Sequence, residues 1–545
     1  MMFGRKKRLT KGIALAMAAI LGVACCSCNN APKTEGATSE MTTTAPVTTP
    51  AETTTEPTTE PSVQRTVVVI DPATQSPFNN GEFEGWGTSL CWWANRLGYS
   101  DSLAEQAAVL FFNKETGLGM NIARYNIGGG DDPTHTHITR TDSKMPGFTY
   151  YNEETGTYEY DITADANQRN VLLRAKNAAG DEFIAEAFSN SPPYYMTESG
   201  CSSGSDKAIL DNLRDDSVEA FADYLAEVVR IYEEEYDLKF QSISPMNEPD
   251  TSYWAAYSYK QEGCHFSSGK SQSTMLVALS QALIERGLND IIIAGTDETS
   301  IDSQLNSFRK LTEEASAVTT RIDTHTYSGT RREDLRNEVA AAGKNLWMSE
   351  VDGGSVIGKN AGQMGAGLWL ANRIMDDMNG LMPSAWILWQ AIDSHICEAG
   401  YQGNKDTGMP NTNGGYWGLA VADHDNDTII LTKKYYAYGQ FSRYIRPGYT
   451  IIANDNKDVL AAYNKEDKTL VIVAVNNNET ALPIDFSLEG FKYEGGTAKV
   501  IRTSGDMETG ENWAELPEIN VAKDKLETDL KEYSITTFII ENITY

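Results

Sequence analysis

The sequence has little positive charge. Its 545 residues include 45 lysines and arginines against 76 aspartates and glutamates, so the formal net charge is −31. Nucleic acids and anionic membrane surfaces are polyanions that such a chain repels, so we expect no nucleic-acid partner and favour a neutral substrate. The 41% hydrophobic and 22% charged residues are typical of a folded protein with two or more domains.

The apolar stretch near the start of the chain is short. Residues Ile13 to Ala24 cannot cross a bilayer as a mature helix, but they follow five basic residues and predict a signal peptide over 1–24. The run ends in LGVAC, which resembles a bacterial lipoprotein cleavage site and predicts lipidation of Cys25. Cys26, Cys28 and ordinary signal-peptide cleavage are the alternatives. We expect an exported protein, secreted or held at the cell surface by a lipid anchor.

Aromatic residues are absent between 29 and 64, where Thr, Pro, Glu, Ala and Ser dominate. Such a composition cannot bury enough apolar surface to offset the entropy of ordering, so residues 25–64 are predicted to form a disordered linker.

Cysteine is also scarce. Of seven cysteines, four lie in the body of the chain: Cys91, Cys201, Cys264 and Cys397. Export would permit two disulfides in any of three pairings, and the sequence does not choose among them. None has a histidine partner in a matching strand-end motif, so a catalytic thiol is not expected. We also expect no cofactor.

The body alternates compact apolar strands with amphipathic helices. Eight strand candidates begin near residues 84, 120, 181, 240, 290, 321, 345 and 384. Helices are predicted between them at Asp101 to Phe112 with a capping box of Ser102 and Glu105, Ser217 to Tyr232, Ser271 to Glu285, Ser303 to Ala315 and Ala361 to Met378. This pattern predicts an α/β fold, a (β/α)8 TIM barrel over 83–438, with an open doubly wound sheet as the alternative.

After about residue 439 the helical period disappears. Strands such as TLVIVAVNN and YSITTFIIEN, separated by turns rich in Gly and Asn, predict an antiparallel β-sandwich over 439–545. The strand within 65–82 is expected to join it.

Two glutamates end strands on opposite sides of the predicted barrel. ISPMNEP places Glu248 after the fourth strand, and LWMSE places Glu350 after the seventh. Both carboxylates can therefore face one bound bond at the barrel mouth. A gap of about 5 to 5.5 Å suits retaining glycoside hydrolysis, and a wider gap suits inversion.

These two motifs, together with GWGTSLCWWAN, NIARYNIGG and SNSPPYYM, resemble glycoside hydrolase family 30 over residues 65–545. The resemblance implies a barrel joined to a sandwich built from both chain ends, and retention of anomeric configuration. It implies that Glu248 is the acid/base and Glu350 the nucleophile. The GWGTSLCWWAN segment and the YWAAYSYKQEGCHF loop look most like the endo-β-1,6-galactanase branch. The segment GGGDDPTHTH departs from that branch.

The resemblance also indicates supporting residues. Asn247 resembles the asparagine that binds the sugar 2-hydroxyl, and Arg124 resembles the arginine that hydrogen-bonds the nucleophile. A cation there is expected to keep Glu350 ionised while Glu248 stays protonated.

Other substrate-binding candidates come from the positions of strand ends. His325 and Tyr327 end the sixth strand and Trp389 the eighth, while Trp92 and Asn190 lie in motifs that follow the first and third. Core packing is the alternative for the rings, and only one of Trp92 and Trp93 is expected to face a ligand.

The pair His135 and His137 beside Asp131 and Asp132 is compatible with a metal site. We favour a solvated or sugar-binding loop, since no further ligands are apparent, and expect no metal.

Three alternative functions remain from the sequence: a family 30 xylanase, a β-1,6-glucanase, and a noncatalytic glycan-binding lipoprotein. Only Lys405 supplies a cation between 391 and 432, whereas a glucuronate subsite would need an arginine near the eighth strand. We therefore favour an uncharged hexose polymer, β-1,6-galactan, as the polysaccharide substrate of a monomer.

Overall fold

The computed structural model describes residues 64–353, 363–401, 404–407 and 417–545. The predicted signal peptide, the lipidation candidate Cys25 and almost all of the predicted linker lie outside these residues. None of the described helices is long and apolar enough to cross a membrane.

The strands of the described chain, in order, are β1 (Thr66–Gln75), β2 (Gly85–Ser89), β3 (Ile122–Asn126), β4 (Thr149–Asn152), β5 (Thr157–Tyr160), β6 (Ile184–Phe188), β7 (Ser242–Ser244), β8 (Ile292–Ser300), β9 (Arg321–Ser328), β10 (Asn345–Val351), β11 (Ala385–Leu388), β12 (Ile392–Tyr401), β13 (Asn404–Thr407), β14 (Ala420–Asp423), β15 (Thr428–Leu431), β16 (Thr450–Asn454), β17 (Val459–Asn464), β18 (Thr469–Asn476), β19 (Leu482–Ser487), β20 (Gly496–Ser504), β21 (Glu511–Val521), β22 (Lys525–Leu530) and β23 (Ser534–Ile540).

The helices are α1 (Trp93–Leu97), α2 (Asp101–Phe112), α3 (Ala166–Ala179), α4 (Val218–Tyr236), α5 (Lys270–Glu285), α6 (Ile301–Lys310), α7 (Glu313–Val318), α8 (Arg332–Ala341), α9 (Met364–Gly380) and α10 (Lys433–Ser442). Short 3-10 turns occur at Asn79–Gly81, Thr141–Ser143, Gly180–Glu182, Tyr194–Met196 and Asp215–Ser217.

Eight parallel strands close into a barrel in the order β2, β3, β6, β7, β8, β9, β10, β11. These are the eight strands that the apolar runs predict, and β11 pairs with β2 to close the ring. The predicted (β/α)8 barrel is therefore confirmed, and the open sheet is excluded. Function in such a barrel sits at the carboxyl ends of the strands.

The outer helices follow their apolar stripes. In α4, Phe221, Leu225, Val228 and Tyr232 are all buried, as their helical spacing predicts. The predicted helix from Ser303 to Ala315 is instead two helices, α6 and α7.

The division has a local cause. Leu311 leaves the helical conformation with a ψ of 137°, and Thr312 is extended. The Thr312 side chain accepts the N–H of Ala315 at 3.2 Å, which starts a new helix. The predicted capping box at the start of α2 is also wrong. Ser100, rather than Ser102, caps that helix by accepting the N–H of Leu103.

Nine strands form a second closed sheet: β1, β16, β17, β18, β23, β20, β21, β22 and β19. All neighbours pair antiparallel except β1 and β19, which pair parallel. The sheet domain expected at this end of the chain is thus present, and β1 near residue 65 pairs within it. Its own core includes Val68, Ile472, Phe486 and Phe538.

Helix α10 joins the two sheets. Its Gln440 side chain donates to Thr503 at 2.8 Å and accepts from Thr537 at 2.6 Å, both on second-sheet strands. The predicted boundary between 438 and 439 therefore falls inside this buried helix. The described residues from 64 onward form one compact unit.

Two small sheets lie outside the two closed sheets. One pairs β4 with β5, and the other has the order β13, β12, β14, β15. The cysteines of the described chain do not form two disulfides, because Cys91, Cys201 and Cys264 carry free, buried thiols.

Candidate active site

The two predicted glutamates meet at the carboxyl ends of β7 and β10. Glu248 follows β7 by four residues, and Glu350 is the penultimate residue of β10. Their side chains are only 12% and 5% exposed. One oxygen of each lies within 4.8 Å of the other and of a nitrogen of His325. The structure therefore brings together both residues that the strand-end motifs single out.

His325 lies between the two carboxylates and is completely buried. Its Nδ1 is 3.1 Å from Glu248 Oε1 and 3.4 Å from Glu350 Oε1, and its Nε2 is 3.2 Å from Asp297 Oδ1. The sequence predicts that His325 borders the sugar. The structure instead places the ring beneath the carboxylates, where it positions them and has no surface left for a ligand.

Arg124, on β3, reaches Glu350 as expected. Its Nη1 is 3.4 Å from Glu350 Oε2 and donates to the Ser349 carbonyl at 3.0 Å. The same guanidinium binds Asp297 at 2.7 Å and Glu186 at 2.8 Å. Its positive charge is therefore shared among three carboxylates.

Burial has the largest effect on the protonation of the pair. Burial raises the pKa of Glu350 to about 7; His325 and Arg124 lower it, whereas Glu248 and Asp297 raise it further. For Glu248, burial is outweighed by hydrogen bonds from His325 and Tyr253, which lower the pKa. In the ligand-free site the two shifts favour a proton on Glu350 over one on Glu248. Arg124 acts in the expected direction on Glu350, but burial opposes it.

The acid/base candidate has a constrained backbone. Glu248 has a φ of 47°, in the left-handed region, and its N–H donates to the Asp297 carbonyl at 2.9 Å. The Tyr253 hydroxyl donates to Glu248 Oε2, and Trp254 Nε1 donates to the Glu248 carbonyl at 2.9 Å. Backbone strain of this kind persists where the surroundings hold it, commonly at active sites.

Sequence reasoning missed Tyr253 and Asp297. Tyr253 begins the loop that follows Glu248, so its position in the chain was a usable signal. Asp297 lies within β8 and accepts from Ser349 Oγ at 2.6 Å as well as from Arg124. An acidic residue near the end of a barrel strand was the signal for it.

Several buried amides near these strand ends have polar atoms without a partner among the described residues. They are Asn247 Oδ1, Asn190 Oδ1, Asn126 Nδ2 and Gln390 Oε1. Asn190 and Asn126 touch each other only at 3.4 Å. Buried polar groups are normally satisfied, so unsatisfied amides here indicate a polar ligand or ordered water. Asn247 and Asn190 are thus placed as substrate-binding candidates.

The aromatic candidates fall into two groups. Tyr327 donates its hydroxyl to Glu350 Oε1 at 3.1 Å and stacks on Trp417, with ring centroids 6.1 Å apart. Trp92 and Trp389 pack edge to face at 5.0 Å, leaving 3% and 6% of each residue exposed. Trp93 packs in the core, as one of the adjacent pair was expected to do.

Some tryptophans near strand ends serve only the core. Trp86 and Trp386 are completely buried and pack against Tyr438. A tryptophan in a strand motif is therefore not by itself evidence of sugar binding.

Comparison with known proteins places this site in a family. Residues 68–401 match O-glycosyl hydrolase family 30. The chain is 30% identical over 500 residues to an endo-β-1,6-galactanase from Hypocrea rufa, covering 88% of this chain and 95% of that protein.

The chain belongs to glycoside hydrolase family 30.

The chain is also similar to a second relative and to a solved structure. An exo-β-1,6-galactobiohydrolase from Bifidobacterium longum subsp. longum is 27% identical, across 76% of this chain and 35% of that protein. The catalytic domain of a family 30 xylanase C from Talaromyces cellulolyticus has a TM-score of 0.65 at 19% identity, covering 87% of this chain and 99% of that domain. At this identity the structural likeness shows the fold alone. The family 30 membership predicted from the strand-end motifs is confirmed, and the protein is a glycoside hydrolase.

Proposed function

We propose that this family 30 enzyme hydrolyses β-1,6-galactan with retention of configuration, through a covalent glycosyl-enzyme on Glu350. The observation that carries the proposal is the short gap between Glu248 and Glu350, whose oxygens approach within 4.8 Å. An inverting enzyme holds a water between its carboxyl groups and needs a gap of about 6.5 to 9.5 Å.

In the first step Glu350 attacks the anomeric carbon, and the glycosidic oxygen leaves with a proton from Glu248. In this step Glu248 carries the proton and Glu350 is ionised, whereas burial and hydrogen bonding shift their pKa values in the opposite sense in the ligand-free site. His325 contacts both carboxylates, at 3.1 and 3.4 Å, so it acts on the ionisation of both. In the second step Glu248 takes a proton from water, which attacks the anomeric carbon and releases Glu350.

The positioning groups act on Glu350 and on the sugar separately. Tyr327 and Arg124 hold the two oxygens of Glu350, so one lone pair can face the anomeric carbon. Asn247 would bind the sugar 2-hydroxyl, and its buried Oδ1, which has no partner in the described chain, supports this role. Such a contact strengthens as the oxocarbenium-like transition state forms.

The choice of a neutral galactan rests on similarity and on charge. The endo-β-1,6-galactanase covers 88% of this chain at 30% identity. A glucuronate would need an available cation near β11. Arg140 lies over Trp92 there, at 4.5 Å from the ring centroid, but it is paired with Asp142 at 3.0 Å and Asp393 at 2.9 Å. A net charge of −31 further disfavours an acidic polymer.

We also propose that the enzyme is exported as a monomer and either secreted or anchored through lipid on Cys25. The basic N-terminus and the LGVAC motif support this, and both lie outside the described residues. Radiolabelled palmitate should enter the full chain and not its Cys25→Ser variant.

One experiment tests reaction and substrate together. The full chain is incubated separately with β-1,6-galactan, β-1,6-glucan and glucuronoxylan, and the anomer released first is read by proton NMR. We expect short galacto-oligosaccharides released as the β-anomer, and none from the matched Glu350→Gln variant.

Each other outcome overturns a defined part. Early release of the α-anomer refutes retention. Cleavage of glucan or glucuronoxylan with galactan untouched refutes the substrate and leaves the two-glutamate mechanism standing. Binding of galactan without cleavage would favour the noncatalytic glycan-binding alternative.

A further inference from the structure

A second cluster of reactive side chains lies outside the catalytic pair. It joins Asp131, His135 and His137, from the loop after β3, to Cys201, from the loop after β6. One ligand atom of each lies within 4.8 Å of all the others. The sequence argument against a metal was that the two histidines lacked further ligands. The fold supplies a further ligand, Cys201, which lies 64 residues after His137 in the sequence and beside it in the structure.

The spacing of the cluster fits tetrahedral coordination. His135 Nδ1 is 3.2 Å from Asp131 Oδ1, His137 Nε2 is 3.4 Å from Asp131 Oδ2, and Cys201 Sγ is 3.4 Å from His137 Nε2. Four ligands at zinc distances of about 2.0 to 2.3 Å stand about 3.3 to 3.8 Å apart at the corners of a tetrahedron. Small side-chain adjustments would therefore admit an ion.

The contacts do not form a nucleophile with its base. In a Cys-His-Asp relay the thiol and the carboxylate bind opposite nitrogens of the imidazole. Here both Cys201 and Asp131 face the same nitrogen, His137 Nε2. Several donors converging on one point are instead the arrangement of ligands around a shared ion. The cysteine thus has a histidine partner that the sequence did not reveal, but not in a catalytic geometry.

Surrounding groups hold the ligands in place. Asp131 Oδ1 accepts the N–H of Ser202 at 3.2 Å, and Cys201 Sγ accepts the N–H of Tyr257 at 3.3 Å. The Tyr257 ring packs edge-on against both histidine rings, with centroids 5.2 and 5.4 Å away. Hydrogen bonds to a ligating carboxylate and thiolate are the usual support of a metal site.

The ligand side chains are shielded from solvent. Cys201 is completely buried, and the side chains of Asp131, His137 and His135 are 3%, 12% and 20% exposed.

We propose that Asp131, His135, His137 and Cys201 bind one zinc ion. Imidazole and thiolate ligands select zinc over magnesium or calcium, which require oxygen. One carboxylate and one thiolate also balance its two positive charges.

The ion would have a structural role. All four positions are filled by protein, as in sites that brace a fold and leave no place for a substrate water. Tyr257 ties the cluster to the loop after β7, which also carries Glu248 and Tyr253. The zinc would thus fasten three loops at the active face, including the loop of the acid/base.

The test uses the full chain and must avoid two other places where zinc can bind. The first is the thiol cluster of Cys25, Cys26 and Cys28, which lie within four residues. Every protein variant in the experiment therefore carries serine at these three positions. The catalytic cluster of Glu248, His325 and Glu350 also has metal-compatible spacing, but it contains no sulfur. Cobalt is therefore added to metal-free protein, because a thiolate-to-cobalt charge-transfer band arises only from a cysteine ligand.

We expect that band, together with the visible absorption of tetrahedral cobalt, and one equivalent of zinc per chain by elemental analysis. Cys201→Ser and His137→Ala should lose both. The matched control Cys264→Ser removes another buried thiol at the same face and should keep both.

Absence of the band from the chain with intact ligands overturns the proposal, as does an undiminished band in Cys201→Ser. The first measurement needs no variant in the cluster, so a folding failure in Cys201→Ser leaves the test decisive. His135→Gln, at a side chain 20% exposed, should weaken zinc binding at least tenfold; unchanged affinity would also refute the site. Because metal content is measured without substrate, the result is independent of the proposed galactanase activity.

Discussion

The electrostatic coupling between the two catalytic carboxylates can be measured by removing one charge. Glu248→Gln keeps the shape of the side chain and eliminates the negative charge that helps to raise the pKa of Glu350. At 4.8 Å, the largest separation of the two nearest oxygens, and an effective dielectric constant of about 20, two unit charges repel by about 3.5 kcal/mol. That energy corresponds to about 2.5 pH units in the titration of Glu350. His325 lies between the oxygens and screens them, so we expect a shift of at least about 1 pH unit.

The assay is hydrolysis of a dinitrophenyl β-galactoside, whose leaving group needs no proton. Glycosylation of this substrate requires only ionised Glu350, so the acidic limb of kcat/KM reports the titration of Glu350. In the unmodified enzyme that limb should lie near pH 7, where burial places the pKa of Glu350. In Glu248→Gln it should lie at lower pH, because the carboxylate that opposed ionisation is gone.

A matched control is Glu466→Gln, which removes an exposed carboxylate from a turn of the second sheet. Its acidic limb should stay where the unmodified enzyme has it. An unmoved limb in Glu248→Gln would refute the coupling, and a limb that moved to higher pH would refute the assignment of the raised pKa to Glu350.

Two further changes test the supports of the site. Tyr253→Phe removes the hydroxyl that donates to Glu248 Oε2. Because Tyr253 is half exposed, we expect kcat/KM on polymer to fall about tenfold, a loss of about 1.4 kcal/mol, with little loss on the dinitrophenyl substrate. Equal losses on both substrates would indicate a structural role only. Lys434→Met removes the ammonium that pairs with the completely buried Asp352 side chain at 2.6 Å. Urea denaturation should then show a loss of about 3–5 kcal/mol in unfolding free energy. Adding Asp352→Asn should restore most of it, and a double variant as unstable as the single would contradict this account.

The barrel could be predicted because its strands are short apolar runs separated by helices with one apolar stripe. Both signals are local, so periodicity alone placed all eight barrel strands and the extent of α2. Closure of the second sheet was not predictable in the same way, since the pairing of β1 with β19 joins residues more than 400 positions apart. The break between α6 and α7 depends on one threonine side chain, which periodicity does not register.

Within the site, sequence reasoning found both glutamates and some of their partners, such as Arg124 and Tyr327, and missed Asp297 and Tyr253. Glu248 and Glu350 each end a strand motif, whereas Asp297 acts through contacts to Arg124, Ser349 and His325 from three other strands. Likewise, two histidines two residues apart are visible in the sequence, but the thiol that completes their cluster lies on another loop. Contacts between distant segments require the fold.

The net charge of the buried ion network suits the site to a transition state that carries positive charge. A continuous ion network in the barrel contains five carboxylates and three cations: Glu186, Glu248, Asp297, Asp323 and Glu350, with Arg124, Arg321 and His325. Burial opposes a charge on His325, yet Glu350 and Asp297 raise its pKa well above the usual value, so it counts as positive. With one proton shared by the catalytic pair, the network keeps one net negative charge. Arg124 and His325 are completely buried, so they contact the carboxylates and not the sugar. In the proposed reaction that remaining negative charge faces the anomeric carbon, where an oxocarbenium-like transition state develops positive charge.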